Sequence, residues 1–127
     1  DFFIRDIYNK IFSISGYEVV VASDGFEALE KIKDQNFDIL LLDIMMPKLT
    51  GVDVLRTVRK ELVEPKKNIP IFLITNLGQE DVIEQAFQLG MDGYIIKSQV
   101  NPQQVVNEIN TFFKNKELAQ PADSTNT

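Results

Sequence analysis

The stretch Asp38-Ile39-Leu40-Leu41-Leu42-Asp43, followed by Ile44-Met45-Met46-Pro47-Lys48-Leu49-Thr50-Gly51, decides the reading of this chain. Four consecutive aliphatic residues between acids predict a short strand buried on both faces. The strand delivers the Asp43 carboxylate into a loop punctuated by Pro47 and Gly51. A carboxylate at the carboxyl end of a parallel strand stands where open α/β sheets bind ligands. There it can accept a phosphoryl group, hold a metal or cap a loop.

On either side of this stretch the chain alternates. Phe3, Ile4, Ile7, Tyr8, Ile11 and Phe12 follow helical spacing up to Gly16, and residues 17–22 are rich in β-formers. Ser23-Asp24-Gly25 starts a helix carrying Ala28, Leu29 and Ile32. Strand 38–43 is followed by a helix marked by Val52, Val54, Leu55, Val58 and Leu62. Further strands are predicted at 69–75 and 93–97, with helices at 79–90 and 102–115. Asn101-Pro102 reads as an N-cap with Pro at the first helical position. Residues 1–116 read as one domain and 117–127 as a disordered polar tail. Strict alternation predicts a parallel sheet with helices on both faces.

Composition narrows the chemistry. With 127 residues the chain suits one domain, and 44% hydrophobic content with 25% charge is ordinary for a globular protein. A formal charge of -6 argues against nonspecific binding of nucleic acid or an anionic membrane surface. No apolar run approaches the ~20 residues of a membrane span. The lack of Cys fits a cytoplasmic location and removes thiolate chemistry. The lack of His removes the imidazole base, ligand and phosphate carrier. Carboxylates, Lys, Tyr, Thr and Ser remain.

Three strand ends then matter: Asp43, Thr75 and Lys97. A parallel sheet brings all three to one edge. A carboxylate oxygen is a nucleophile toward phosphorus. An ammonium and a hydroxyl can bind the oxygens of the transferred group. Taken singly, Asp43 reads equally as a loop cap and Tyr94 equally as core, while strand propensity for Thr75 and a snorkelling side chain for Lys97 are the lesser readings. The remaining acids, Asp24, Asp38, Asp53 and Asp92, read as caps or solvated groups. The charge run from Arg59 to Lys67 reads as a solvated helix end, and phenylalanines such as Phe12, Phe26, Phe72 and Phe87 as core.

In order and spacing, Leu-Leu-Asp43-Ile-Met-Met-Pro47-Lys-Leu-Thr-Gly51, Ile-Thr75-Asn and Gly-Met-Asp-Gly-Tyr94-Ile-Ile-Lys97 resemble the bacterial two-component response regulator receiver domain of the CheY-like superfamily. The resemblance implies a three-layer flavodoxin-like α/β fold with strand order 2-1-3-4-5, whose first strand is missing from this chain. It implies a phosphorylation-dependent switch that is not an enzyme but assists its own phosphorylation and dephosphorylation. Asp43 is then the phosphoacceptor, Lys97 and Thr75 bind the phosphoryl group, and Thr75 and Tyr94 are the switch pair. Mg²⁺ would be held by Asp43, the backbone carbonyl of Met45 and an acidic pair upstream of Asp1. Asp1 itself is out of register with that pair. The implied partners are a sensor histidine kinase or phosphotransfer protein, an output protein or domain on the 79–115 face, and in one arrangement a second copy of the chain. The alternative is an unphosphorylated receiver-like interaction module.

The resemblance has departures. Asn76 stands where a small residue is usual. Ser98 stands where Pro is usual, and since a non-proline cis peptide costs about 2.5–4 kcal/mol, a trans Lys97-Ser98 bond is expected. Met45 and Leu77 occupy the places best suited to orient a hydrolytic water and cannot do so, which implies a long-lived phosphoryl group. Two rivals fall away. A haloacid-dehalogenase-type phosphatase would need a second Asp where Met45 stands, and a nucleotide binder would need a phosphate-cradling Gly-rich loop.

Overall fold

The computed structural model describes residues 2–46, 48–76 and 79–119, with side chains described from 7 to 118. Pro47, Leu77, Gly78, Asp1 and the tail from 120 onward lie outside the described residues. The chain divides into two compact units, Val20–Gln99 and a second made of Asp1–Val19 with Val100–Thr127.

The first unit holds a three-stranded parallel sheet in the order β1 (Leu40–Asp43), β2 (Ile71–Thr75), β3 (Gly93–Ile96). Leu40 pairs with Ile71 and Asp43 with Ile74; Phe72 pairs with Gly93 and Thr75 with Ile96. Three helices belong to this unit: α2 (Gly25–Asp34), α3 (Gly51–Glu61) and α4 (Glu80–Gln88). The stripe Val54, Leu55 and Val58 of α3 is fully buried with Ile71 and Leu73 of β2. Each such side chain contributes about 1.5–3 kcal/mol by leaving water.

Strand β2 is buried along its whole length, while β1 alternates between buried and half-buried residues. The expected double-sided burial thus belongs to β2, which has neighbours on both edges, and not to β1, which ends the described sheet. Residues 17–22 form no strand. Strand propensity needs a ladder partner, and the described residues contain no strand between this segment and β1. The Val21 carbonyl instead accepts from Lys31 Nζ at 2.6 Å.

Sequence signals account for the helix ends. Asp24 caps α2 by accepting from the Glu27 N–H at 2.9 Å. Thr50 and Asp53 form a reciprocal capping box at the start of α3. Helix α4 ends in a Schellman motif, in which Gly90 at φ 92° lets Gly90 N–H reach Phe87 O and Met91 N–H reach Ala86 O.

In the charge run that begins at the end of α3, Lys60, Glu61, Glu64 and Lys67 are exposed as expected, whereas Arg59 and Lys66 fold inward. Arg59, with a side chain only 13% exposed, donates to Gly90 O at 3.1 Å, Lys67 O at 2.9 Å and Asp92 Oδ2 at 3.1 Å. The same Asp92 oxygen accepts from Ile71 N–H at 2.8 Å. Burial lowers the Arg59 pKa and the Asp92 charge opposes that shift. Lys66 donates to the Ile32 and Gln35 carbonyls at the end of α2. Phe26 and Phe87 are also corrections, since both are exposed.

The second unit pairs α1 (Phe2–Ile14) with α5 (Pro102–Ala119), which runs past the expected boundary at 116. Gly16, at φ 99°, gives α1 a Schellman end like that of α4. Phe12 meets Tyr17 edge-on at 5.3 Å, and the Tyr17 hydroxyl donates to Asn110. Asn101 caps α5, accepting from Gln104 N–H at 2.8 Å. No helix among the described residues is long and apolar enough to cross a membrane.

Candidate functional site

The site lies at the carboxyl edge of the sheet. Register staggers its three side chains. Asp43 stands level with Ile74 and hence Ile95, Thr75 is one residue further along β2, and Lys97 is two residues past Ile95. Lys97 opens a short 3₁₀ turn, Lys97–Gln99, just after β3, rather than ending the strand itself. Its ammonium stands 2.6 Å from Asp43 Oδ2. The two side chains are 21% and 29% exposed, so the pair is sheltered yet reachable from solvent. The Lys97–Ser98 peptide is trans; among the described residues only Glu64–Pro65 is cis.

Local backbone aims Asp43. Its other oxygen, Oδ1, accepts from the Met45 N–H at 2.9 Å, which turns the loop around the carboxylate. Ile44 N–H continues the ladder to Ile74 O at 3.0 Å and fixes the strand end. Helix α3 begins hard against that end. A Cβ on Gly51 would lie 2.5 Å from the Asp43 carbonyl oxygen, so only glycine fits. Lys48 reaches the loop at φ 67° and its ammonium lies 3.5 Å from Asp24 Oδ2. The Asp24 carboxyl is held below its usual range, chiefly by the Glu27 N–H and with help from Lys48.

Thr75 is placed as expected but engaged differently. It is the one buried polar residue among those described, at 1% exposure. Its hydroxyl is bonded to Gln79 Oε1 and to Asn76 O at 3.0 Å, not to Asp43. Gln79 Oε1 also accepts from Asn76 N–H at 3.1 Å, and Gln79 Nε2 lies 3.4 Å from Met45 Sδ. Sequence reading missed Gln79, because a Gln before a helix matches no motif. Tyr94 lies opposite Leu73 and is 41% exposed, so it is a surface residue and not core. Met45 is 64% exposed.

The edge therefore unites a sheltered carboxylate, an ammonium in contact with it and a buried hydroxyl one strand over. Among the described residues no three acids gather to hold a metal without help. The Asp43 carboxylate offers oxygen donors, the donor type that suits a hard cation.

Comparison with known proteins agrees. Residues 1–110 match the response regulator receiver domain. The chain is 34% identical over 108 residues to the alkaline phosphatase synthesis transcriptional regulatory protein PhoP of Bacillus subtilis, covering 85% of this chain and 43% of that protein. It is 37% identical over 93 residues to the chemotaxis protein CheY of Pseudomonas aeruginosa, covering 73% of each. The chain thus spans less than half of several transcriptional regulators that it resembles. Among solved structures, a CheY-like receiver domain protein from Methanospirillum hungatei superposes with a TM-score of 0.82 at 28% identity, covering 94% of this chain and 92% of that one. The parallel sheet expected from the alternating elements is present, and the flavodoxin-like α/β class that the resemblance implied is supported by these neighbours. A carboxylate and an ammonium brought together from residues 43 and 97, on a fold shared with such relatives, leave one conclusion: this chain belongs to the response regulator receiver domain family.

Proposed function

We propose that the protein is a phosphorylation-dependent signalling switch with Asp43 as phosphoacceptor. The observation that carries this reading is the 2.6 Å contact between Lys97 Nζ and Asp43 Oδ2 at the sheet edge. A carboxylate oxygen of Asp43 attacks phosphorus, and the donor's bond to phosphorus breaks with its electron pair leaving on the donor. The product is an acyl phosphate. Lys97 then binds a phosphoryl oxygen with its ammonium, and Thr75 can donate its hydroxyl proton to another.

The donor in this reading is a sensor histidine kinase, a phosphotransfer protein or a small acyl phosphate, since this chain has no His of its own. Mg²⁺, which one structural neighbour holds in its active-site cleft, would sit on Asp43 and the Met45 carbonyl. When bound it neutralises charge on the transferred group. The new charge at Asp43 biases Thr75, α4 and β3, including exposed Tyr94, and an output partner reads that face.

Treatment with acetyl phosphate and Mg²⁺ tests the reading by intact mass. One phosphoryl addition is expected in the parent and none in Asp43→Asn. An unmodified parent would leave a receiver fold serving as an unphosphorylated interaction module.

A further inference from the structure

Gln79 stands immediately before α4, and its carboxamide is turned back into the site rather than toward solvent. The helix start draws no side-chain cap from it. One oxygen, Oε1, takes both the Thr75 hydroxyl and the Asn76 N–H, the latter at 3.1 Å. Because the Asn76 N–H can only donate, the group facing it must be the amide oxygen, which fixes the orientation of the carboxamide. The nitrogen then points at Met45 Sδ, a weak acceptor, at 3.4 Å.

A hydroxyl has one proton to give. That of Thr75 faces Gln79 Oε1 and Asn76 O, and neither belongs to Asp43. Any phosphoryl oxygen at Asp43 must therefore compete for it. We infer that Gln79 is a positioning residue that latches the Thr75 hydroxyl in the unphosphorylated arrangement, so that phosphorylation at Asp43 and release of the start of α4 are one event. This rests on Asp43 being the phosphoacceptor. A contact present in only one of two arrangements favours that one, and removing it shifts the balance to the other.

The test uses beryllofluoride with Mg²⁺ as a stable phosphoryl mimic. Dissociation constants are measured for the parent, Gln79→Ala, Thr75→Val and the double variant. The latch predicts that Gln79→Ala tightens binding about fivefold, the factor matching one ordinary hydrogen bond. It predicts that this gain disappears in the Thr75→Val background, as coupled neighbours require. In the absence of mimic, Gln79→Ala should also shift the Asn76 amide resonance upfield and speed its hydrogen exchange. Gln79→Glu, which keeps the side-chain length, should weaken binding, because a carboxylate is the stronger acceptor. If the parent binds and Gln79→Ala binds no tighter, or tightens equally without the Thr75 hydroxyl, the latch is refuted and the phosphoacceptor reading stands. If the parent fails to bind beryllofluoride and takes no phosphoryl group from acetyl phosphate, that reading fails and the latch falls with it.

Discussion

Asp43 and Lys97 hold each other in a contact that, on the proposed function, an incoming phosphoryl group would enter. Neutralising Lys97 as Lys97→Gln removes a charge-assisted donor, so beryllofluoride affinity should fall about tenfold or more. Titration of the two proteins side by side measures it. Gly51 is a steric requirement, with the Asp43 carbonyl oxygen 2.5 Å from where a Cβ would go. Gly51→Ala should cost about 1–3 kcal/mol in urea unfolding, as overpacked sites do. It should also slow phosphoryl uptake by displacing the strand end. Exposed, apolar Met45 cannot orient a water, so the phosphorylated protein should decay slowly, and Met45→Asn, Leu77→Glu should decay several-fold faster in a radiolabel chase. Equal decay rates would remove these positions from the account. The placement of Asp43, Thr75 and Lys97 at one sheet edge was legible because strand positions and residue chemistry are written in sequence. The partner of the Thr75 hydroxyl was not, because a Gln before a helix has no positional signature. Arg59 was misread because a charge run looks the same whether its members are solvated or folded inward.

The helices depend on carboxylates at their starts. Glu27 accepts from both the N–H and the hydroxyl of Ser23, which with Lys31 bring its pKa down to about 2. Asp53 is lowered chiefly by the Thr50 hydroxyl, and Asp24 by the Glu27 N–H. A carboxylate whose folded pKa is depressed contributes stability above its unfolded pKa, near 4, and loses it as pH falls through the folded value. The first turn of α2 should therefore fray between roughly pH 4 and pH 2, and that of α3 as pH falls below about 4. Hydrogen exchange followed down that range should show it, with Asp24→Asn, which keeps the acceptor oxygen, less acid-sensitive at α2. An acid profile unchanged by that substitution would assign the loss elsewhere. Helices were readable here because capping residues and 3.6-residue spacing are local. Residues 17–22 were not, because a strand exists only through a neighbour, and propensity carries no information about one. Phe26 and Phe87 were misplaced for a related reason: being aromatic does not fix which side of a helix faces the core.

At the level of the sheet, alternation of elements gave the parallel strands, and the strands gave the meeting of residues 43 and 97 with 75 on the neighbouring strand. That logic is topological and survives errors of a residue or two at each boundary. Beryllofluoride with Mg²⁺ should slow or redistribute amide exchange mainly across 75–96, leaving the buried stripe of α3 unchanged; a response centred on α3 would contradict the proposed output face. The Arg59 cluster at the opposite end of the strands gives this expectation a shape. One guanidinium fastens Gly90, Lys67 and Asp92 together just where α4 ends, while the beginning of α4 is joined to the site through Gln79 alone among the bonds described. The helix is thus tied by several bonds at its tail and by one side chain at its head, where Val82 and Ile83 add apolar packing. Any response to the site should be a swing about a pivot near Leu89, with displacement growing toward Glu80. Labels at the two ends should report unequal travel, and cutting the anchor with Arg59→Ala should turn that graded tilt into a loosening of the whole helix.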